Sequence, residues 1–396
     1  MATTPAEAEA ADADTKVEQL RLLLRRIAIE PKLSEQQRAE LLSAAETVSG
    51  VIEGDYAVDA SEAGSPEGSA DADIDSLLTS DVKAAMEGYK EWEFDIWKVE
   101  ELKKRDGALV LVALQIFKDH DLCKKFSIPE SKLIRFLRRI QAGYNAVPYH
   151  NSVHAADVLQ TFNYFAVNGD MHWMTPLELF ASLFACIVHD FKHPGVNNNF
   201  LALTQDTIAL RYNDKSILEN YHLAQAFFLL RDDSVNILEG LQSAQRAEFR
   251  SLCISLVLAT DMEQHFSFVG FVRHKVESGG VDYNNREDRC LALKMVLKSA
   301  DISNPAKPLP TVRTWTSRVM EEFFNQGDLE KAKGMAISPL CDRATVSIPN
   351  SQTGFIRFVV LPLFELLSTM IPLARTKCIP FLNCSIEHWE SQEQAK

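Results

Sequence analysis

Paired cysteines are missing from this chain: its seven cysteines form no C-x-x-C spacing, and their odd number suits neither a closed disulfide framework nor a thiolate zinc site. They read as free thiols, mostly buried. Long apolar runs are missing as well, since LFASLFACIV and FVVLPLF fall short of the about 20 residues that a membrane-spanning helix needs. No membrane insertion is expected. The N-terminus, MATTPAEAEAADADT, has no basic patch leading into an apolar run, so it does not read as a secretory signal and cytoplasmic residence is the default. Positive charge is in deficit, 41 Lys and Arg against 55 Asp and Glu, a net −14. Nonspecific binding to nucleic acid is therefore not expected, because phosphates are repelled without a basic patch. An anionic small substrate remains compatible with that charge, since bound metal ions reverse the local field in a pocket.

What the chain does contain is a helical pattern. Residues 1–16 are rich in Ala, Asp, Glu and Thr without apolar period, and read as a disordered tail. A short helical extension is expected over 17–50, where Val17, Leu20, Leu24 and Ile27 stand at helical spacing and LSEQQRAELLSAAETV follows Pro31. Its apolar stripe offers a seam for a homodimer or a regulatory partner, although one short stripe is more often local packing. Residues 51–80 hold eight acidic and no basic residues among Gly, Ser and Pro, the signature of an acidic linker.

From 81 to 391 apolar residues recur every three to four positions and alternating hairpin patterns are scarce, which makes this domain all-α. Helices are predicted over 108–123, 130–142, 152–168, 215–231, 244–278, 286–300, 308–326 and 350–372. Thr175-Pro176-Leu177-Glu178 combines an N-cap Thr, Pro at the first helical position and Glu at the third, and starts the apolar helix LELFASLFACIVHD. Such apolar bulk belongs at the centre of the domain, and the helix delivers His189 and Asp190 at its C-terminal end.

Four residues of metal-ligand type occupy three separate stretches: His154 in YHNSVHAADV, His189 with Asp190 in CIVHDFKHPG, and Asp301 in KSADISNP. Two imidazoles and two carboxylates form a mixed nitrogen and oxygen set, which suits a first-row divalent ion such as zinc better than calcium. The adjacent His-Asp pair allows one residue to anchor one ion while the carboxylate bridges to a second, an arrangement used to cleave phosphoesters. Taken singly, each signal is weak. His150 and His154, four apart, are also what a solvated helix start looks like. The HD pair fits a plain helix end as well as a metal site, and Asp301 ahead of Pro305 fits a turn aspartate.

The segments YHNSVHAADV, HDFKHPGVNNNF, ALRYND, SILENYH, TDMEQH, KSADISNPAKPL, RTWTSRVMEEFFNQGD, ISPLCDR and SQTGFI resemble, in this order, the catalytic domain of class I cyclic nucleotide phosphodiesterases, over roughly 81–391. His189, Asp190, Phe191, His193, Gly195, Asn198 and Phe200 meet that family's histidine signature. The resemblance implies a compact multi-helix domain of the HD type. It implies that His154, His189, Asp190 and Asp301 hold a tighter ion, zinc, and that Asp190 also touches a second, magnesium or manganese, kept mostly by waters. His193, Glu219 and Thr260 match positions that hydrogen-bond those waters, and their plain alternative is a satisfied core polar group.

By the same resemblance the reaction is hydrolysis of a 3',5'-cyclic nucleotide to the 5'-monophosphate, ending a cyclic nucleotide signal, with His150 as the general acid for the leaving O3'. Gln352 would read the purine edge, since its amide offers a donor and an acceptor. Phe355 and Val319 would sandwich the base, although both would pass for core residues without their flanking motifs. Asn304 stands where cAMP-preferring members carry Asn, which favours cAMP while leaving cGMP open. Tyr149, Asn198, Met262 and Trp315 match positions that line the pocket. Lys192 replaces an acidic residue common in the family and is expected to point to solvent, and Tyr221 stands where a second His is often found. Residues 1–80 match no regulatory module. Two other readings compete: another HD-type nucleotide phosphohydrolase, which would lack the SQTGF and SNP elements, and an inactive cyclic nucleotide binder, which would have lost one of the five residues His150, His154, His189, Asp190 and Asp301.

Overall fold

The structure, a computed structural model, describes residues 73–102 and 106–394. The expected tail, helical extension and most of the acidic linker lie outside the described residues. Helix begins within the last part of that linker stretch, at Ile74–Leu77 and again at Ser80–Ala85. Ile74, Leu78 and Val82 recur every four residues and all three are buried. The charge count hid this stripe, which docks where Glu130 Oε2 accepts the Ile74 N–H at 2.9 Å.

Every regular element among the described residues is a helix, as the apolar periodicity predicts. The central one is Pro176–Val188, whose residues from Glu178 to Val188 are all buried. Its start is the predicted capping box: Thr175 Oγ1 accepts the Glu178 N–H at 3.2 Å, and Glu178 Oε2 accepts the Thr175 N–H at 2.8 Å. Glu178 does more, because its carboxylate also takes the guanidinium Nε of Arg289 at 2.9 Å and so ties this helix to the start of Arg286–Asp301. Ser152–Asn168 and Ser243–Leu258 pack against the central helix, and Arg286–Asp301 closes on both. Asn151 and Asn285 cap the second and third N–H groups of Ser152–Asn168 and Arg286–Asp301.

Several elements differ from the sequence expectation. The helix predicted over 244–278 is two, Ser243–Leu258 and His265–Glu277, separated by a bend at Ala259–Asp261 and a 3-10 turn at Met262–Gln264. No Gly or Pro marks that break. Asn198–Leu203 and Thr207–Tyr212 are too short to show a period. The chain also continues helical over Leu373–Gln394, past the end predicted at 372 and through Pro380. An interior proline costs roughly 3 kcal/mol of helix. Burial of Ala374, Cys378, Leu382, Ile386 and Trp389 on one side overrides that cost.

The run Ile348–Met370 is long and apolar enough to cross a membrane by length and composition alone, although its uninterrupted apolar runs are short. In this domain its Ile356, Val360, Leu363, Phe364 and Leu367 form part of the core. Pro362 supplies no N–H to the preceding turn, and the helix widens there into a π-turn over Ile356–Val360.

Replacing Arg289 with Met strands the buried Glu178 carboxylate, and should cost about 3 kcal/mol of folding stability. A urea midpoint equal to that of the unmodified protein would contradict this account of how the central helix is anchored.

Candidate metal centre and adjoining cleft

Three helices bring the four predicted ligands together. His154 lies in the first turn of Ser152–Asn168, His189 and Asp190 follow the last turn of Pro176–Val188, and Asp301 is the last residue of Arg286–Asp301. His154 Nε2 is 3.1 Å from Asp301 Oδ1 and 3.4 Å from Asp190 Oδ2. His189 Nε2 is 3.1 Å from Asp190 Oδ2, 3.2 Å from Asp301 Oδ1 and 3.3 Å from His154 Nε2.

Two imidazole nitrogens that face each other among carboxylates need a cation. The carbonyl of Cys186 can only accept, so His189 Nδ1, at 2.9 Å from it, carries a proton and Nε2 is the ring nitrogen left to face the carboxylates. Asp190 Oδ2 is buried and makes no hydrogen bond. Burial opposes ionisation of Asp190 and Asp301, yet the imidazoles around them outweigh it and hold both carboxyls below the usual range. His189 shows the converse, raised well above an ordinary imidazole by Asp190 and Asp301 against its burial. The cluster is short of positive charge, and its donor set fits a divalent first-row ion.

A second donor group shares Asp190. His222 Nδ1 donates to Phe191 O at 2.6 Å, which leaves Nε2 unprotonated and 3.8 Å from Asp190 Oδ1. His193 completes a set of three donor atoms within 4.8 Å of one another. Its ring stacks on His150 with centroids 4.0 Å apart, and on His222 at 5.6 Å. Burial and the charge of His150 push His193 well below the usual imidazole range, so it is neutral. His222 was not singled out by the sequence, where attention went to the neighbouring Tyr221. The imidazole that faces Asp190 is nevertheless there.

His150 stands at the edge of this group. Its Nδ1 is 2.5 Å from Glu322 Oε1, while Glu322 Oε2 accepts the N–H groups of Tyr149 at 2.8 Å and His150 at 3.1 Å. Burial of His150 disfavours its charge, but Glu322 and Asp190 overcome that and raise it to about 9. Burial likewise disfavours charge on Glu322, and the same imidazole takes it down to about 2. Nothing local in SRVMEEFF marks Glu322, because its partner lies 172 residues away.

A cleft of about 350 Å³ opens beside the centre, within the range of small-molecule sites. Asp301 and His150 line it together with Tyr149, Met262, Asn304, Trp315, Val319, Gln352 and Phe355. Asn198, expected to line the pocket, instead bridges Glu219 Oε2 at 3.1 Å and the Leu218 N–H at 3.0 Å. Asn304 has a fixed amide: Nδ2 donates to Asp157 Oδ2 at 2.8 Å and Oδ1 accepts from Tyr149 OH at 2.5 Å. Asp157 is buried one turn beyond His154 and escaped the sequence reading. Gln352 Oε1 accepts from Thr316 Oγ1 at 3.4 Å. Thr260 Oγ1 donates to Val257 O at 2.8 Å, which leaves it an acceptor toward anything else. Burial, then Asp261, raises Glu219 to about 7. Lys192 is half-buried in a left-handed turn, φ 63°, rather than fully exposed. Asn145 Nδ2 holds that turn through the carbonyls of Lys192 and His193.

Residues 149–379, which include every residue of the centre and the cleft, match the family described as 3'5'-cyclic nucleotide phosphodiesterase. A 3',5'-cyclic-AMP phosphodiesterase 4C of Rattus norvegicus is 39% identical over 315 residues, 78% of this chain and 59% of that protein. The protein of the same name from Mus musculus is 39% identical over 315 residues, 78% of this chain and 46% of its own length. The chain thus spans about half the length of the curated relatives it matches. A solved structure of LmjPDEB1 in complex with IBMX has a TM-score of 0.73 to it at 29% identity, covering 80% of this chain and 99% of that one.

Removing one of the four ligands by Asp301→Ala should lower the divalent metal retained after dialysis by about tenfold or more, read by elemental analysis. Retention equal to that of the unmodified protein would remove Asp301 from the centre.

Proposed function

Because the chain belongs to the 3'5'-cyclic nucleotide phosphodiesterase family, we propose that it hydrolyses 3',5'-cyclic nucleotides, cAMP before cGMP, to 5'-nucleoside monophosphates. One observation carries this reading: Asp301 and His150 line the same cleft as Gln352, Phe355 and Val319, so a phosphate at the centre leaves its base within reach of an amide and an aromatic ring. The presence of all five residues, His150 with the four ligands, favours an enzyme over a silent binder.

Zinc is assigned to His154, His189, Asp190 and Asp301, and magnesium or manganese to the side of Asp190 that faces His193 and His222. When bound, such ions supply Lewis acidity toward the phosphoryl oxygens and an activated water. The rest falls to side chains. As the water oxygen bonds to phosphorus and the P–O3' bond breaks, O3' needs a proton. His150 gives it from Nε2, since Nδ1 is engaged by Glu322 and the carboxylate keeps the ring charged. His193, Glu219 and Thr260 are read as partners for ordered water, Thr260 as acceptor.

Phe355 and Val319 are assigned to the two faces of the purine and Gln352 to its edge. The cAMP preference rests on Asn304, whose amide Asp157 and Tyr149 hold in one orientation and which therefore offers one fixed donor and acceptor pair. Met262 and Tyr149 shape the wall.

Purified protein supplied with zinc and magnesium should release 5'-AMP from cAMP with a higher kcat/KM than 5'-GMP from cGMP, and Asp301→Ala should release neither. Absence of product from both nucleotides sinks the enzymatic reading, whereas equal kcat/KM values sink only the preference. His150→Ala should lower kcat by about 10²–10⁴-fold. Phe355→Ala should instead act on KM, raising it roughly tenfold with little change in kcat, and a loss confined to kcat would move Phe355 out of the base site.

A further inference from the structure

A lysine without solvent exposure is rare unless something holds its ammonium. Lys298 is 0% exposed and lies one turn before Asp301 on Arg286–Asp301. Its three donors meet three successive carbonyls, Ala259 O at 3.1 Å, Thr260 O at 3.3 Å and Asp261 O at 3.3 Å, with Met262 Sδ at 3.8 Å. These carbonyls follow the end of Ser243–Leu258, where the helix dipole is negative, and of the three only Asp261 O also meets a backbone donor, the Gln264 N–H at 3.3 Å. At the unmarked break in the helix predicted over 244–278, a side chain from another helix thus supplies the donor that Ala259 O and Thr260 O would otherwise lack.

The bend is held from the opposite side too. Asp261, buried, accepts from Ser216 Oγ at 2.7 Å through Oδ2 and from the Glu263 N–H at 2.9 Å through Oδ1. Ser216 opens Ile217–Leu229, which carries Glu219 and His222. Burial lowers the pKa of Lys298, and Asp301, Asp261 and Glu219 oppose that shift. One ammonium therefore stands where the Asp301 helix, the 259–262 bend and the start of the Glu219 helix meet.

We propose that Lys298 is a positioning residue of the metal centre: it fixes the 259–262 bend, which bears Thr260 and the cleft residue Met262, to the Asp301 helix without touching metal or substrate itself. This rests on the reading of the four-ligand cluster as a metal site. A lysine that served stability alone would change how much protein folds, and leave the metal affinity and KM of the folded fraction as they were.

The test uses metal-stripped full chain and Mn²⁺ as the probe, with free Mn²⁺ read by EPR and amide exchange of residues 259–264 read by mass spectrometry. Lys298→Met keeps length and removes charge and donors. It should speed exchange of the bend by about tenfold or more and weaken Mn²⁺ binding by about the same factor. With cAMP, KM should rise more than kcat falls. Lys298→Gln, a shorter neutral donor, should fall between. Exchange and Mn²⁺ affinity within about twofold of the unmodified chain in either folded variant overturn the proposal. Should neither variant fold, the unmodified chain decides: Mn²⁺ should slow exchange of 259–264, and binding without that protection overturns the coupling. Failure of the unmodified chain to bind Mn²⁺ overturns the metal centre and this inference with it, whereas absent nucleotide hydrolysis leaves both standing, because neither readout needs substrate.

Discussion

Carboxylates placed at the C-terminal ends of helices set the terms for this structure. Asp190 follows the last turn of Pro176–Val188 and Asp301 ends Arg286–Asp301, so each adds negative charge where the helix dipole is already negative. Both are packed against imidazoles rather than guanidinium or ammonium groups. Such a cluster calls for compensating positive charge, part of which a buried lysine one turn before Asp301 supplies. The capped, apolar Pro176–Val188 helix makes this arrangement tolerable, because a rigid frame keeps the acidic ends from moving apart into water.

That frame was largely legible in the residues. The Thr175 to Glu178 box and the apolar period act within a few residues, and the helices they announce are found. The four clustered residues stood out as a set because each ends or begins a helix whose start or stop is marked. Contacts closed over long stretches of chain left no trace. Glu322 reaches His150 across 172 residues, and Asp157 takes the amide of Asn304 across 147. The bend at Ala259–Asp261 belongs to the same class, since Lys298 makes it from nearly forty positions downstream. Leu373–Gln394 is a different case: the sequence ended its last predicted helix at 372, and burial of one face carries the helix on through Pro380.

Charge counting misled in one place for an instructive reason. The stretch before residue 80 is acidic enough to read as linker, yet Ile74 and Leu78 need only one buried position per turn to dock. Average composition reports on solvation of a segment, whereas docking depends on whether its few apolar residues share a side.

The π-turn at Ile356–Val360 has a mechanical meaning. It lets a proline sit inside one uninterrupted helical run, and that run carries the amide and ring of the cleft at one end and core residues at the other. The cleft wall that bears Gln352 and Phe355 is consequently one end of a helical run rooted in the hydrophobic interior, not a loop that must be gathered around a guest. A ligand entering there spends little of its binding energy on ordering the protein. The same rooting leaves the wall less room to reshape itself around a guest of different outline than a loop would have.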